Sequence, residues 1–270
     1  MRLALSEIST VNASFGDDVA AYAAAGFDAI GIWETKLPED DEANRALLRD
    51  AGLAVANCVP AVPSILPLRL PGMEGPLEVE ERIEALNASI RRLAGYEPES
   101  VLVLTGPIGD REPDGARRIV VDGLRTLAAA AREAGVPLGL EPIHPSQAAA
   151  VSFVNSIADA LSLLAETGLD DVGVMVDTYN LWHEEPAAIA AVAERVTGVH
   201  AADAPPDPAV DGRLLPGEGG SRSVEIVRAL RAAGWDGSLD VEIFSTSEGF
   251  WGLPVDEAAR RAYAAARALL

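Results

Sequence analysis

Four side chains able to hold a divalent cation end four successive apolar runs: Glu141 after Pro137-Leu138-Gly139-Leu140, Asp177 after Val172–Val176, His200 after Val199, and Glu242 after Leu239-Asp240-Val241. A carboxylate or imidazole at the end of a buried strand contributes little to stability. It is well placed for chemistry, because the carboxyl ends of parallel barrel strands form a single rim. Three oxygen donors and one imidazole suit manganese, magnesium or cobalt, and zinc tolerates them. Spacings of about one strand–helix repeat put the four on neighbouring strands, where they converge on one ion.

The elements that carry them repeat along the chain. A helical stretch rich in Ala, Leu and Arg runs into a glycine turn and then a short apolar strand. The turns are Ala25-Gly26-Phe27, Ala51-Gly52-Leu53, Ala94-Gly95-Tyr96, Ala134-Gly135-Val136, Thr167-Gly168-Leu169 and Ala233-Gly234-Trp235. Glycine just past a helix is a stop signal, since it accepts the left-handed conformation there. With the strands at Leu3–Ser6 and Val196–Ala201 the count is eight. Eight strand–helix units in 270 residues without a linker predict one (β/α)8 TIM barrel, α/β in class, over residues 1–270. An open dinucleotide-binding sheet is disfavoured, because Ser6-Glu7-Ile8-Ser9-Thr10 lacks the glycine-rich turn. Long Pro/Gly-bearing segments, Pro60–Gly75, Thr105–Gly115 and Ala204–Ser221, follow strands and predict a pocket on that side.

Composition excludes several classes. A net charge of −21 disfavours nucleic acid, whose binding needs Lys and Arg against phosphates. Lys36 is the only lysine and falls in a loop-like segment, which argues against Schiff-base chemistry. A single cysteine, Cys58, excludes an internal disulfide or a thiolate zinc site and reads as an inert, half-buried strand thiol. The chain opens directly into Arg2-Leu3-Ala4-Leu5 without a leader, and no apolar stretch reaches membrane-spanning length. The expectation is a soluble cytoplasmic protein with a small-molecule partner, compatible with a homo-oligomer.

The segments Leu140-Glu141-Pro142, Val176-Asp177-Thr178-Tyr179-Asn180-Leu181-Trp182, Val199-His200-Ala201-Ala202-Asp203, Leu215-Pro216-Gly217-Glu218-Gly219 and Val241-Glu242-Ile243-Phe244 resemble the xylose isomerase-like barrel family of sugar isomerases and epimerases. Leu3–Pro38 and the stretch from Phe250-Trp251-Gly252-Leu253-Pro254 also resemble the inosose isomerases of that group. The resemblance implies one divalent metal held by Glu141, Asp177, His200 and Glu242, with both glutamates as acid/base groups and a sugar or cyclitol ketone as substrate. The chemistry agrees. A C–H beside a carbonyl is too weakly acidic for a lone carboxylate, and a cation on the adjacent oxygens stabilises the enediolate. Return of the proton to the neighbouring carbon isomerises; return to the opposite face epimerises.

Further residues are assigned to substrate. His144, in Glu141-Pro142-Ile143-His144-Pro145, is placed to bond a hydroxyl or steady Glu141. Asn180 stands where the family often has histidine, and His183 is its candidate replacement. Asp203, three residues after His200, orients a ligand, contacts the metal or caps a turn. Arg213, in Asp211-Gly212-Arg213, resembles a loop arginine that reaches substrate. Trp33, Trp182 and Trp251 are candidates for walls against the apolar faces of a sugar, with Glu34 beside the first; Trp235 reads as structural. Gly217, Gly219 and Gly220 read as a tight turn rather than a phosphate cradle. The runner-up activity is a dehydratase of the inosose or dehydroshikimate type. An endonuclease of the same barrel family is disfavoured by three histidines and the acidic charge, and a silent sugar-binding barrel by the two glutamates.

Overall fold

The computed structural model describes residues 1–70, 73–206 and 212–270. Parts of the Pro60–Gly75 and Ala204–Ser221 segments, and Asp211 with them, lie outside the described residues. Eight parallel strands close into a barrel in chain order. They are β1 (Arg2–Ser6), β2 (Ala29–Trp33), β3 (Ala54–Val59), β4 (Ser100–Val103), β5 (Leu138–Leu140), β6 (Val172–Asp177), β7 (Val196–Ala201) and β8 (Ser238–Val241). The seam is the pairing of β1 with β8, Leu3 opposite Leu239 and Leu5 opposite Val241.

Helices follow every strand: α1 (Phe15–Ala25), α2 (Asp41–Ala51), α3 (Val79–Ala94), α4 (Pro113–Ala134), α5 (Ile157–Thr167), the short α6 (Thr178–Leu181) and α7 (Pro186–Ala190), α8 (Ser223–Ala232) and α9 (Val255–Arg267). Their starts are written locally, as where Ser14 and Ser156 accept the N–H of Asp17 and Asp159. Gly26, Gly52, Gly135 and Gly168 end helices in the left-handed conformation, as their turns predict. Gly95 does not. It stays right-handed, and Glu97, at φ 54°, makes the left-handed step instead.

Residues on strands β1 to β8 pack outward against the helices as one apolar core. Inside the barrel, small residues leave room for larger neighbours. Cβ atoms at Gly139 and Gly198 would stand 2.5 Å from Met175, whose side chain fills that space. Cys58 is fully buried rather than half-buried, and burial pushes its thiol well above the usual range. Lys36 is held by Asp18 and by the carbonyls of Glu7 and Thr10, away from the cavity. Trp235 donates to the Val196 carbonyl and packs into the core, a structural role as expected. Among the described residues no helix is long and apolar enough to cross a membrane.

Candidate metal centre and cavity

Strand register assembles the centre. Asp177 on β6 pairs with His200 on β7, and His200 pairs with Asp240 on β8. Residues two apart on a strand share a face, so Glu242 and Asp240 point the same way. Glu141 and Glu242 stand one residue past their strands, yet their N–H groups still join the ladders, to Val103 and Ala201 carbonyls. That anchoring fixes both side chains at the rim.

Ligand atoms of Glu141, Asp177 and His200 all lie within 4.8 Å of one another. Glu242 closes the group: its Oε2 is 3.5 Å from His200 Nδ1, while Glu141 Oε1 is 3.8 Å from the same nitrogen. All four are buried. Asp177 has a second duty, because its Oδ1 accepts the Tyr179 N–H and caps α6. His200 Nδ1 is buried without a hydrogen-bond partner. An orphaned imidazole nitrogen among three carboxylates is a donor set that fits a divalent cation.

The electrostatics point the same way. Burial, above all, pushes the Glu141 carboxyl up to about 7; Asp177 and Glu242 add to this and His200 opposes it. Burial works against a charged His200, but Glu242, then Glu141 and Asp240, outweigh it and raise the ring to about 10. The cage carries a surplus of negative charge. Arg213 meets part of it, with one guanidinium nitrogen 2.9 Å from both Asp177 Oδ2 and Glu242 Oε2. Its plane sits between the rings of Tyr179 and Phe244, at 4.6 and 4.7 Å.

A cavity of about 310 Å³ opens over this group. Its polar side is Glu141, Asn180, Arg213, Glu242 and Gln147. Facing them are Trp33, Leu68, Leu102, Leu104, Ile143 and Phe244. Trp33 is the one tryptophan among the described lining. Its indole N–H donates to Ser6 Oγ, and its backbone N–H donates to the buried Glu7 carboxyl.

Several residues assigned to substrate are engaged otherwise. Asn180 lines the cavity, but its amide N–H groups reach Glu141 and Asp177, at 3.2 and 2.9 Å, so it braces those two carboxylates. His144 bonds Ser146, stacks on Trp182 and meets His183 edge-on; these three rings form a cluster outside the cavity lining. Trp251 donates its indole N–H to the Ile8 and Ile243 carbonyls and packs on Phe244, behind the wall. Asp203 accepts N–H groups of Gly217, Gly219, Ser221 and Ala204, which is the turn-capping one of its expected roles. The glycines therefore cradle this chain's own carboxylate, not a phosphate. Glu34 accepts the Ala61 N–H and pairs with Arg92, away from the cavity.

Sequence reasoning missed Asn57, Asp240, Tyr179 and the aliphatic wall. A readable signal existed for two of them: Asn57 and Asp240 are polar residues in the middle of apolar strands, where a side chain needs a buried partner.

Comparison with known proteins places the chain in a family. A D-psicose 3-epimerase of Enterocloster bolteae is 30% identical over 146 residues, 53% of this chain and 44% of that protein, so the match spans under half the relative's length. A 3-dehydro-D-guloside 4-epimerase of Escherichia coli K12 is 26% identical over 231 residues, 80% of this chain and 82% of the relative. Among solved structures, a protein from Sinorhizobium meliloti 1021 superposes with a TM-score of 0.85 at 26% identity, covering 99% and 98% of the two chains. The IolI protein, solved with a zinc atom, has the same fold: TM-score 0.82 at 18% identity, covering 100% and 98%. The xylose isomerase-like TIM barrel family profile matches residues 19–269, and the chain belongs to that family.

Proposed function

We propose that the protein is a divalent-metal-dependent isomerase or epimerase of a ketose or inosose-type sugar, with Glu141 and Glu242 as the proton-transferring pair. The observation that carries this reading is the disposition of those two glutamates. They come from β5 and β8, line the same cavity, and flank His200 Nδ1 at 3.8 and 3.5 Å.

Glu141, Asp177, His200 and Glu242 would hold the ion, which when bound supplies Lewis-acid polarisation of the substrate carbonyl and its neighbouring hydroxyl. Glu141 and Glu242, on either side of His200 Nδ1, take and return the proton as a pair. Asn180 keeps the Glu141 carboxylate aimed by a hydrogen bond. Arg213 offers a fixed guanidinium to substrate oxygens, and Tyr179 and Phe244 hold it flat. Trp33 and the leucine wall pack the C–H faces of the substrate and exclude water from the exchanging proton. Both curated relatives are epimerases of keto sugars by name, which supports isomer interconversion over water loss.

The test is incubation of the metal-loaded protein with ketoses and inososes in deuterated water, read by NMR and mass spectrometry. Deuterium should enter beside the carbonyl without loss of water. Full exchange in Glu141→Gln or Glu242→Gln would end the role assignment, and a product lighter by one water would make the enzyme a dehydratase.

A further inference from the structure

The two ring nitrogens of His200 have different neighbours. Nδ1 faces the glutamates and has no hydrogen-bond partner. Nε2 lies 3.0 Å from Asn57 Oδ1 on β3. The other end of that amide, Nδ2, donates to Asp240 Oδ2 on β8 at 2.7 Å. Asn57, Asp240 and His200 are each at most 2% exposed. Asp240 has its place because position 31 on β2 is glycine; a Cβ there would stand 1.9 Å from Asp240 Oδ2.

An amide has a fixed polarity, since one end only donates and the other only accepts. With Nδ2 committed to the Asp240 carboxylate, the end that meets His200 is the acceptor. The ring then carries a proton on Nε2 in either charge state, and once neutral it presents the Nδ1 lone pair between the carboxylates. The reverse orientation would press Asn57 Oδ1 against a carboxylate oxygen. Asp240 itself stands 3.9 Å from Nε2, so it acts on the ring through the amide and not directly.

We infer that Asn57 and Asp240 are positioning residues that lock His200 with its proton on Nε2, and so make Nδ1 the nitrogen that binds the divalent cation. This rests on the metal centre of the proposed function and extends it to a layer of the barrel beneath the cavity. Partners of this kind set tautomer and ring direction, and their loss weakens metal binding by about 10- to 100-fold.

The experiment uses the full chain, stripped with a chelator and reloaded with zinc ion alone, with ¹⁵N-labelled histidine. In the wild type, long-range ¹H–¹⁵N spectra should place zinc on Nδ1 of His200 and a slowly exchanging proton on Nε2. Chelator competition should show zinc affinity about 10- to 100-fold weaker in Asn57→Leu, with circular dichroism unchanged and the Nε2 proton in fast exchange. Asp240→Leu should weaken zinc similarly, whereas Asp240→Asn, which keeps an acceptor for Asn57, should stay within threefold of wild type. The Asp240 pair decides the matter if Asn57→Leu does not fold. Zinc on Nε2, or equal affinity in Asp240→Leu and Asp240→Asn, overturns the inference. A wild type that binds no zinc overturns the metal centre and the relay together. Zinc bound as described without any deuterium exchange sinks the proposed reaction and leaves the relay standing.

Discussion

Glu7 gives the sharpest quantitative prediction. It follows β1, is fully buried, and uses Oε2 to accept the Trp33 N–H at 2.9 Å, while Oε1 has no partner. Burial, mainly, lifts its carboxyl from 4.5 to about 8, with Asp18 adding and Lys36 opposing. For an acid raised in the folded state, the favourable contribution is complete below the unfolded value and is lost as pH climbs towards the folded one. Between pH 4.5 and 8 that loss is on the order of 5 kcal/mol, at about 1.4 kcal/mol per pH unit. Glu7→Gln has no such slope, but it adds one amide N–H where Oε1 is unpartnered, costing about 1–3 kcal/mol. The wild type should therefore be the more stable protein at pH 5 and the variant the more stable at pH 8.5. Urea unfolding of both in the same chelator-containing buffer measures this. The gap should swing by roughly 4 kcal/mol between the two pH values. A gap constant to within about 1 kcal/mol would show that Glu7 is not held protonated by burial, and would refute the reasoning.

Replacing Glu141 or Glu242 by Gln should lower deuterium exchange by about 10²- to 10⁴-fold while the thermal midpoint stays close to wild type. Arg213→Ala removes a positive charge 2.9 Å from the carboxylates of Asp177 and Glu242. Zinc affinity by chelator competition should then rise while exchange falls; weaker zinc binding would place Arg213 among the residues that build the site. Asp203→Ala frees the N–H groups of Gly217, Gly219 and Ser221. It should cost about 2–4 kcal/mol in urea unfolding and leave zinc affinity unchanged; a selective loss of zinc would make Asp203 a ligand after all.

The barrel was legible because its signals are local. A helix stop of the Ala-Gly type recurs before most strands. The gathering of Glu141, Asp177, His200 and Glu242 was legible for a related reason: in a parallel barrel, the end of a strand specifies a position in space without knowledge of its neighbours. What failed needed distances between segments far apart in sequence. Asn57 and Asp240 meet across 183 positions, and only strand register puts them together. Asp203 and the rings of His144, Trp182, His183 and Trp251 fall in rim segments whose side chains turn either into the cavity or into the loops. Residue type does not distinguish those outcomes. Arg213 was found by its chemistry, but its cage of two carboxylates and two rings was not written in its own loop.

Lys36 and Cys58 have a practical consequence beyond their packing. They are the chain's single lysine and single cysteine. The amine is locked in an ion pair with Asp18, its side chain 12% exposed, and the thiol is fully enclosed. Amine- and thiol-directed reagents should leave the native side chains unmodified, so covalent capture of Cys58 becomes a clock for how often the barrel opens.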